Sequence, residues 1–326
     1  MSGWGSGSPD ARELIDRGLA RPEGLVDVVE GRDDTGERFI SVRLDRGWSF
    51  DVLPDRGLDV GAAWWAGRPV AWRSPIVRDP GPGRAWERRF LGGLILTCGP
   101  AAIGEGPDGT LHGTHSSTPA HEVAVTRLSD REGPGVSISG VIDDVRFFGR
   151  YVRIRRVITA RAGSSRLELR DRVENCGLEA EPLALLYHVN FGSPAVLPGT
   201  RVVTRASDVV PREVTTSVPV SSPLPDPIGR TEETVFEHRY PPAEDGVAEA
   251  QVVSPDGVAF GLRWSASSLP RLYQWVLPTR GGWALGLEPA NAPLFGPERA
   301  GEDLGARLLS PGGTSELWVC VEAPPP

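Results

Sequence analysis

Glycine and proline together make up about a fifth of this chain, 40 and 31 of its 326 residues. Proline removes an amide donor and glycine loosens the backbone, so neither suits long helices, whereas short strands joined by turns accommodate both. The apolar pattern agrees. Between Arg166 and Asn175, Leu167, Leu169 and Val173 share one parity while Arg166, Glu168, Arg170, Arg172 and Glu174 take the other. That alternation predicts a strand with one wet side, as in an antiparallel sheet. Val145–Ala160 alternates less cleanly, because Arg156 breaks the parity of Val152, Ile154, Ile158 and Ala160. Further strands are expected at Arg38–Leu44, Trp48–Leu53, Glu122–Leu128, Val136–Ile142, Pro182–His188, Val258–Trp264, Leu272–Leu277, Trp283–Glu288 and Ser315–Glu322. Only Pro9–Ala20 reads as a helix, with Ala11, Leu14, Ile15 and Leu19 at helical spacing. The expected fold is mostly β, a large antiparallel β-sandwich with a short N-terminal helix. Residues 1–24 read as a helical extension and 25–326 as a single domain. The Pro- and Ser-rich stretch Val218–Arg230 reads as a loop, since it does not divide compositionally different halves. No internal repeat of solenoid or propeller length is present.

The basic residues, all of them arginine, number 35 against 43 acidic ones, a formal charge of −8. Such a chain lacks the phosphate-neutralising stripe of a nucleic-acid binder. Uninterrupted apolar stretches are short, as in Leu183–Tyr187, against the roughly 20 residues of a membrane span. No apolar core marks the first twenty residues as a secretory signal. Three widely spaced cysteines, Cys98, Cys176 and Cys320, fit free thiols in a reducing cytoplasm better than disulfides or a zinc site. Cytoplasmic location is therefore expected, with neither nucleic acid nor membrane as a partner. Oligomeric state, a homodimer included, is left open.

Among five histidines, His188 ends a predicted strand on the same parity as Ala184 and Leu186. Glu288 ends another, sharing its face with Ala284 and Gly286. A titratable group at a strand end beside small residues leaves room for a flat ring above the sheet. A His and a Glu that converge there could work as an acid and base, which predicts a bell-shaped pH dependence. Each could equally be a hydrogen-bonded structural residue. His112 follows the turn-rich Gly104–Gly109 segment.

The order of short motifs along the chain resembles the galactose mutarotase-like superfamily, and within it an aldose 1-epimerase-like branch. They are Asp55-Arg56-Gly57-Leu58-Asp59-Val60, Phe90-Leu91-Gly92-Gly93-Leu94 with Thr97-Cys98-Gly99, Leu111-His112-Gly113, Tyr187-His188-Val189-Asn190-Phe191-Gly192, Leu269-Pro270 with Trp275, and Leu287-Glu288-Pro289. The resemblance covers about Arg38 to Val321. It implies a β-supersandwich whose concave face binds a monosaccharide or sugar derivative. It further implies that Glu288 takes the proton from the anomeric hydroxyl, His188 protonates the ring oxygen, and His112 holds that oxygen or a neighbouring hydroxyl. Ring opening, rotation about C1–C2 and reclosure then exchange the anomers, with no cofactor required. All three side chains are expected around one hollow roomy enough for a hexose. The resemblance also implies a further aspartate, which no motif here places, and an arginine, for which Arg56 and Arg88 are candidates.

Asn190, Asn291 and Trp275 are further candidates for sugar contacts; the asparagines could instead be turn residues and the tryptophan core. Asp171, inward on its strand, needs a partner such as an arginine or backbone donors; it reads as half of a buried pair that fixes the sheet, or alternatively as an acceptor for a sugar hydroxyl. Cys98 reads as a small buried side chain, and His115 and His121 as exposed loop residues. Two alternatives stand beside the epimerase. In one, His112, His188 and Glu288 ligate a divalent metal ion that supports isomerisation or epimerisation of a keto-sugar. In the other, the protein binds carbohydrate without turning it over.

Overall fold

The computed structural model describes residues 10–76, 85–106, 109–213, 222–241, 243 and 245–325. Two large antiparallel sheets pack face to face. The first has 11 strands and runs Val26–Arg32, Arg38–Leu44, Trp48–Leu53, Asp59–Trp65, Ile95–Cys98, Leu186–Phe191, Ala284–Ala290, Arg271–Leu277, Thr234–Arg239, Asp208–Pro211, with Arg68–Pro69 beside Asp59–Trp65. The second has eight and runs Arg201–Thr204, Val247–Val253, Ala259–Ser265, Thr314–Glu322, Arg166–Asn175, Tyr151–Arg161, Gly133–Val145, His121–Asp130. Glu181–Leu183 and Arg307–Leu309 form a separate two-stranded ribbon. This is the mostly β sandwich that the alternation predicts.

Facing sides of the two sheets make the main core. Phe50, Ile95, Tyr187 and Leu287 from the first meet Ile138, Ile154, Leu169 and Val319 from the second. Leu167, Leu169 and Val173 are fully buried, as their parity predicts. The short helix is Ala11–Asp16, begun by Asp10, whose carboxylate accepts from the Glu13 amide at 2.7 Å. Proline 9 lies outside the described residues, and the chain turns away through Gly18 in a left-handed conformation. Among the described residues no helix is long and apolar enough to cross a membrane.

Three differences from the sequence reading have local causes. The stretch Val145–Ala160 is a strand only from Tyr151, because Arg146–Arg150 is the turn that joins it to Gly133–Val145. Pro182–His188 divides into Glu181–Leu183 and Leu186–Phe191. At the break, the Ala184 amide bonds Pro100 and the Leu185 amide bonds the Asn291 side chain, so neither joins a ladder. Of Val218–Arg230, only residues from 222 onward are described, and they form no named strand.

A charged cluster lies inside the sandwich. Arg156, opposite Asp171 in the second sheet, donates to both Asp171 oxygens at 2.9 and 2.7 Å, to Asp59 at 2.5 Å and to the Gly57 carbonyl at 2.9 Å. Thr97 bonds Asp59 through its amide and hydroxyl, and the Tyr187 hydroxyl donates to Asp171 at 2.7 Å. The Arg156 side chain is fully buried. Burial pushes Asp59 upward, against the pull of the Arg156 guanidinium. Asp171 is thus half of a buried ion pair, and the parity break at Arg156 is its other half. His115 also belongs here, contrary to its reading as an exposed loop residue. It is 1% exposed, and its Nε2 lies 3.0 Å from the Gly57 carbonyl, which the left-handed turn at Gly57 brings under the ring. His121 is exposed and pairs with Asp143.

Candidate active site

Strand register builds the site on the outer face of the 11-stranded sheet. The pairs Leu186–Ala290 and Val189–Leu287 set His188 opposite Glu288, and Glu288 in turn faces Tyr273. One step along, Asn190 and Trp275 flank Gly286 from either side. Because alternate residues share a face, His188, Glu288, Asn190, Gly286 and Trp275 project together, while Tyr187, Val189 and Leu287 enter the core.

His188 Nε2 lies 3.1 Å from Glu288 Oε1, with both side chains nearly buried. Between them the sheet is bare. A Cβ on Gly286 would sit 2.7 Å from His188 Cε1 and 3.0 Å from Glu288 Oε1. Among the described residues His188 Nδ1, Asn190 Oδ1 and Glu288 Oε1 are buried without a hydrogen bond. An orphaned buried polar atom costs about 1–3 kcal/mol, so three at one spot mark a place built to receive polar groups. The Asn190 amide nitrogen is occupied, donating to the Gly93 and His188 carbonyls.

Burial, reinforced by the charge of Glu233, raises Glu288 from 4.5 to about 8. Burial, with the positive charge of His112 adding to it, lowers His188 to about 3. At pH 7 the carboxyl therefore holds the proton and the imidazole is neutral. Together the two groups carry one proton, and moving it from Glu288 to His188 gives carboxylate and imidazolium. His112 falls to about 4, again through burial. Its backbone is left-handed (φ 60°), and its amide donates to the Gly104 carbonyl at 2.7 Å. Its Nδ1 accepts the Gly104 amide at 3.3 Å, leaving the ring proton to Nε2.

Among the described residues, aromatic rings lie close over the pair. Phe90 lies 5.5 Å from the His188 ring and Trp275 5.2 Å. Trp86 stacks on Phe90 at 4.4 Å and touches His112 at the same distance. These rings join Trp72, Leu96, Val235 and Tyr273 in a second apolar cluster on this face. Mutual burial of so much aromatic surface holds the cover shut. His112 thus meets the pair across Trp86 and Phe90.

Two charged residues missed in the sequence also belong to the site. Trp275 Nε1 donates to Glu233 at 2.9 Å, and Arg212 holds the other Glu233 oxygen at 2.9 Å. Both charges are felt by Glu288 and His112. Neither sits in a motif; the Glu232-Glu233 run just before a strand was the available signal. Of the candidate arginines, Arg56 is buried and paired with Glu37 at 3.0 Å on the wall of a neighbouring cavity that Trp86 also lines. Arg88 is exposed. Asn291 Oδ1 accepts the Leu185 amide at 2.6 Å and so fixes the chain before His188. Cys98 is buried, its thiol pushed well up by burial and then by Glu288. The metal alternative loses its geometry: among the described residues no three His, Cys, Asp or Glu side chains converge as a ligand set, His112, His188 and Glu288 included.

A family model described as a domain of unknown function (DUF4432) matches residues 34–322. No curated protein matches. Among solved structures, a Klebsiella pneumoniae protein provisionally named an aldose 1-epimerase is similar at 21% identity and TM-score 0.81, over 91% of this chain and 82% of that one. A galactose mutarotase-like protein of Clostridium acetobutylicum is similar at 17% identity and TM-score 0.62, over 92% and 100%. Galactose 1-epimerase of Lactobacillus acidophilus is similar at 13% identity and TM-score 0.60, over 91% and 98%. At these identities the likeness establishes the fold, which is galactose mutarotase-like.

Proposed function

The chain belongs to that family of unknown function, and on that premise we propose that it is a carbohydrate-active isomerase of the aldose 1-epimerase type, exchanging sugar anomers through Glu288 and His188. The observation that carries this reading is the 3.1 Å approach of two buried titratable groups over a glycine floor.

A sugar ring enters when Phe90 and Trp86 swing aside and lies over Gly286, edge-on to Trp275. In the carboxylate–imidazolium form, Glu288 removes the proton from the anomeric hydroxyl while His188 donates its own to the ring oxygen. The C1–O5 bond breaks, C1 becomes an aldehyde, and both protons remain accounted for on Glu288 and O5. After C1 turns about C1–C2, the same groups run the transfer backward and regenerate the pair. No group leaves and nothing is oxidised, so acid–base work by two side chains suffices. The clasp of Arg212 and Glu233 on Trp275 orients the hydroxyls nearest that ring.

The test is saturation-transfer NMR between anomeric signals across a panel of aldoses. At least one aldose should exchange faster than its uncatalysed rate. Because the working form carries one proton, catalysed exchange should hold level through neutrality. It should fall above about pH 8, where Glu288 loses that proton, and below about pH 3, where His188 gains a second. A catalysed rate that climbs steadily past pH 8 would rule the pair out. Gly286→Ala should cost about a hundredfold in exchange, since its methyl occupies the gap between the two groups. Its thermal midpoint should fall by the equivalent of about 1–3 kcal/mol, the usual cost of overpacking a buried site; parental activity in a folded Ala variant would show the floor to be irrelevant.

A further inference from the structure

Trp86 has the site on one side and open space on the other. On that far side it walls a cavity of about 450 Å³ with Arg56, Arg89, Leu111 and Ser117. A second cavity, of about 330 Å³, adjoins it along Thr110, Gly113 and Thr114, which line both. The second extends to Asp144, Arg150 and Phe148 at the Arg146–Arg150 turn. Each falls in the roughly 300–1,000 Å³ range of small-molecule sites. Together they make a groove beside the loop that carries His112, starting where the site ends.

The lining says what the groove suits. Among the described residues, four arginines and four carboxylates face it, so their charges balance. Arg150 is held by Asp144 at 3.4 Å and Glu181 at 3.5 Å. A phosphate or carboxylate ligand would meet as much repulsion as attraction there, whereas a neutral chain of hydroxyls finds donors and acceptors side by side. At the outer end Phe148 is 93% exposed, set edge-on to Phe147 at 4.6 Å. A bare aromatic on the rim of a polar groove is a surface for the apolar face of a sugar ring.

We propose that this groove binds the additional units of a neutral oligosaccharide whose terminal ring occupies the Glu288–His188 site, a reading that rests on the proposed function for the identity of that terminal ring. The substrate class is then a short glycan rather than a free monosaccharide.

The test is calorimetric titration of the full-length protein with linear di- and trisaccharides of glucose, galactose, mannose and xylose, each beside its monosaccharide. In at least one series the trisaccharide should bind about tenfold or more tightly than the monosaccharide. Phe148→Ala, which removes a side chain that supports no core, should erase that gain and leave monosaccharide binding as it was. Equal binding across chain lengths, no binding by any sugar, or a gain that survives Phe148→Ala overturns the groove. Glu288→Gln separates the two readings. If length-dependent binding persists but anomer exchange is insensitive to Glu288→Gln, the groove stands and the epimerase falls. If exchange depends on Glu288 while chain length has no effect, the reverse holds.

Discussion

Glu288→Gln should reduce catalysed anomer exchange by about two to four orders of magnitude, the usual contribution of a positioned acid–base group. The amide keeps the size of the carboxyl and cannot carry the proton that the pair shares with His188. Sugar binding should survive, because the glycine floor and Trp275 are untouched. Exchange above background at the parental rate would remove Glu288 from the chemistry.

The same variant should also be more stable, and the sign follows from the raised pKa. In the unfolded chain the carboxyl ionises from its ordinary value of 4.5, whereas the folded protein holds it protonated until about 8. Between those values the unfolded state binds fewer protons, so folding stability falls as pH rises, by on the order of 3 kcal/mol by pH 7. Below pH 4.5 both states hold the proton and the penalty is absent. The gain in thermal midpoint from Glu288→Gln should therefore be small near pH 4 and largest near pH 8. Stability surrendered for chemistry is what a working site displays.

Arg156→Met should cost about 3–5 kcal/mol in urea unfolding at neutral pH, the range for a buried ion pair that loses one member. It leaves Asp59 and Asp171 facing each other inside the sandwich, with Thr97 and Tyr187 bonded to uncompensated carboxylates. Against the 5–15 kcal/mol of a typical domain this approaches collapse. Adding Asp59→Asn and Asp171→Asn should recover part of the loss. A single variant within 1 kcal/mol of the parent would mean that water already screens the cluster.

Three strands with one wet face were legible to the residue: Arg38–Leu44, Trp48–Leu53 and Arg166–Asn175 have the expected limits, whereas Val247–Val253, which also alternates, was not read. Strands buried on both faces were read only in part: Arg271–Leu277 and Ala284–Ala290 were found within two residues, and others were missed. Ile95–Cys98 and Thr234–Arg239, which flank the site strands, show almost no alternation because nearly every side chain is covered. Period two needs contrast between faces, and at the centre of this sandwich there is none. His188 and Glu288 lie within Leu186–Phe191 and Ala284–Ala290 rather than at the strand ends read from the sequence, and it is register that turns their separation along the chain into adjacency. The Arg212–Glu233 clasp could not be read from the sequence, since it joins two loop residues, one just after an edge strand and one just before its neighbour, with no spacing rule. The aromatic cover was equally hidden: each ring in it reads alone as an ordinary core residue.

The bare strip at Gly286 has a consequence for how such a pocket can diversify. Its underside tolerates no added atom without parting the two proton carriers, so that surface is closed to variation. On the proposed function, what distinguishes one terminal ring from another would be written overhead, in the size and tilt of Trp72, Trp86, Phe90 and Trp275. Relatives of this chain that differ in appetite should differ in their ceilings and agree underfoot.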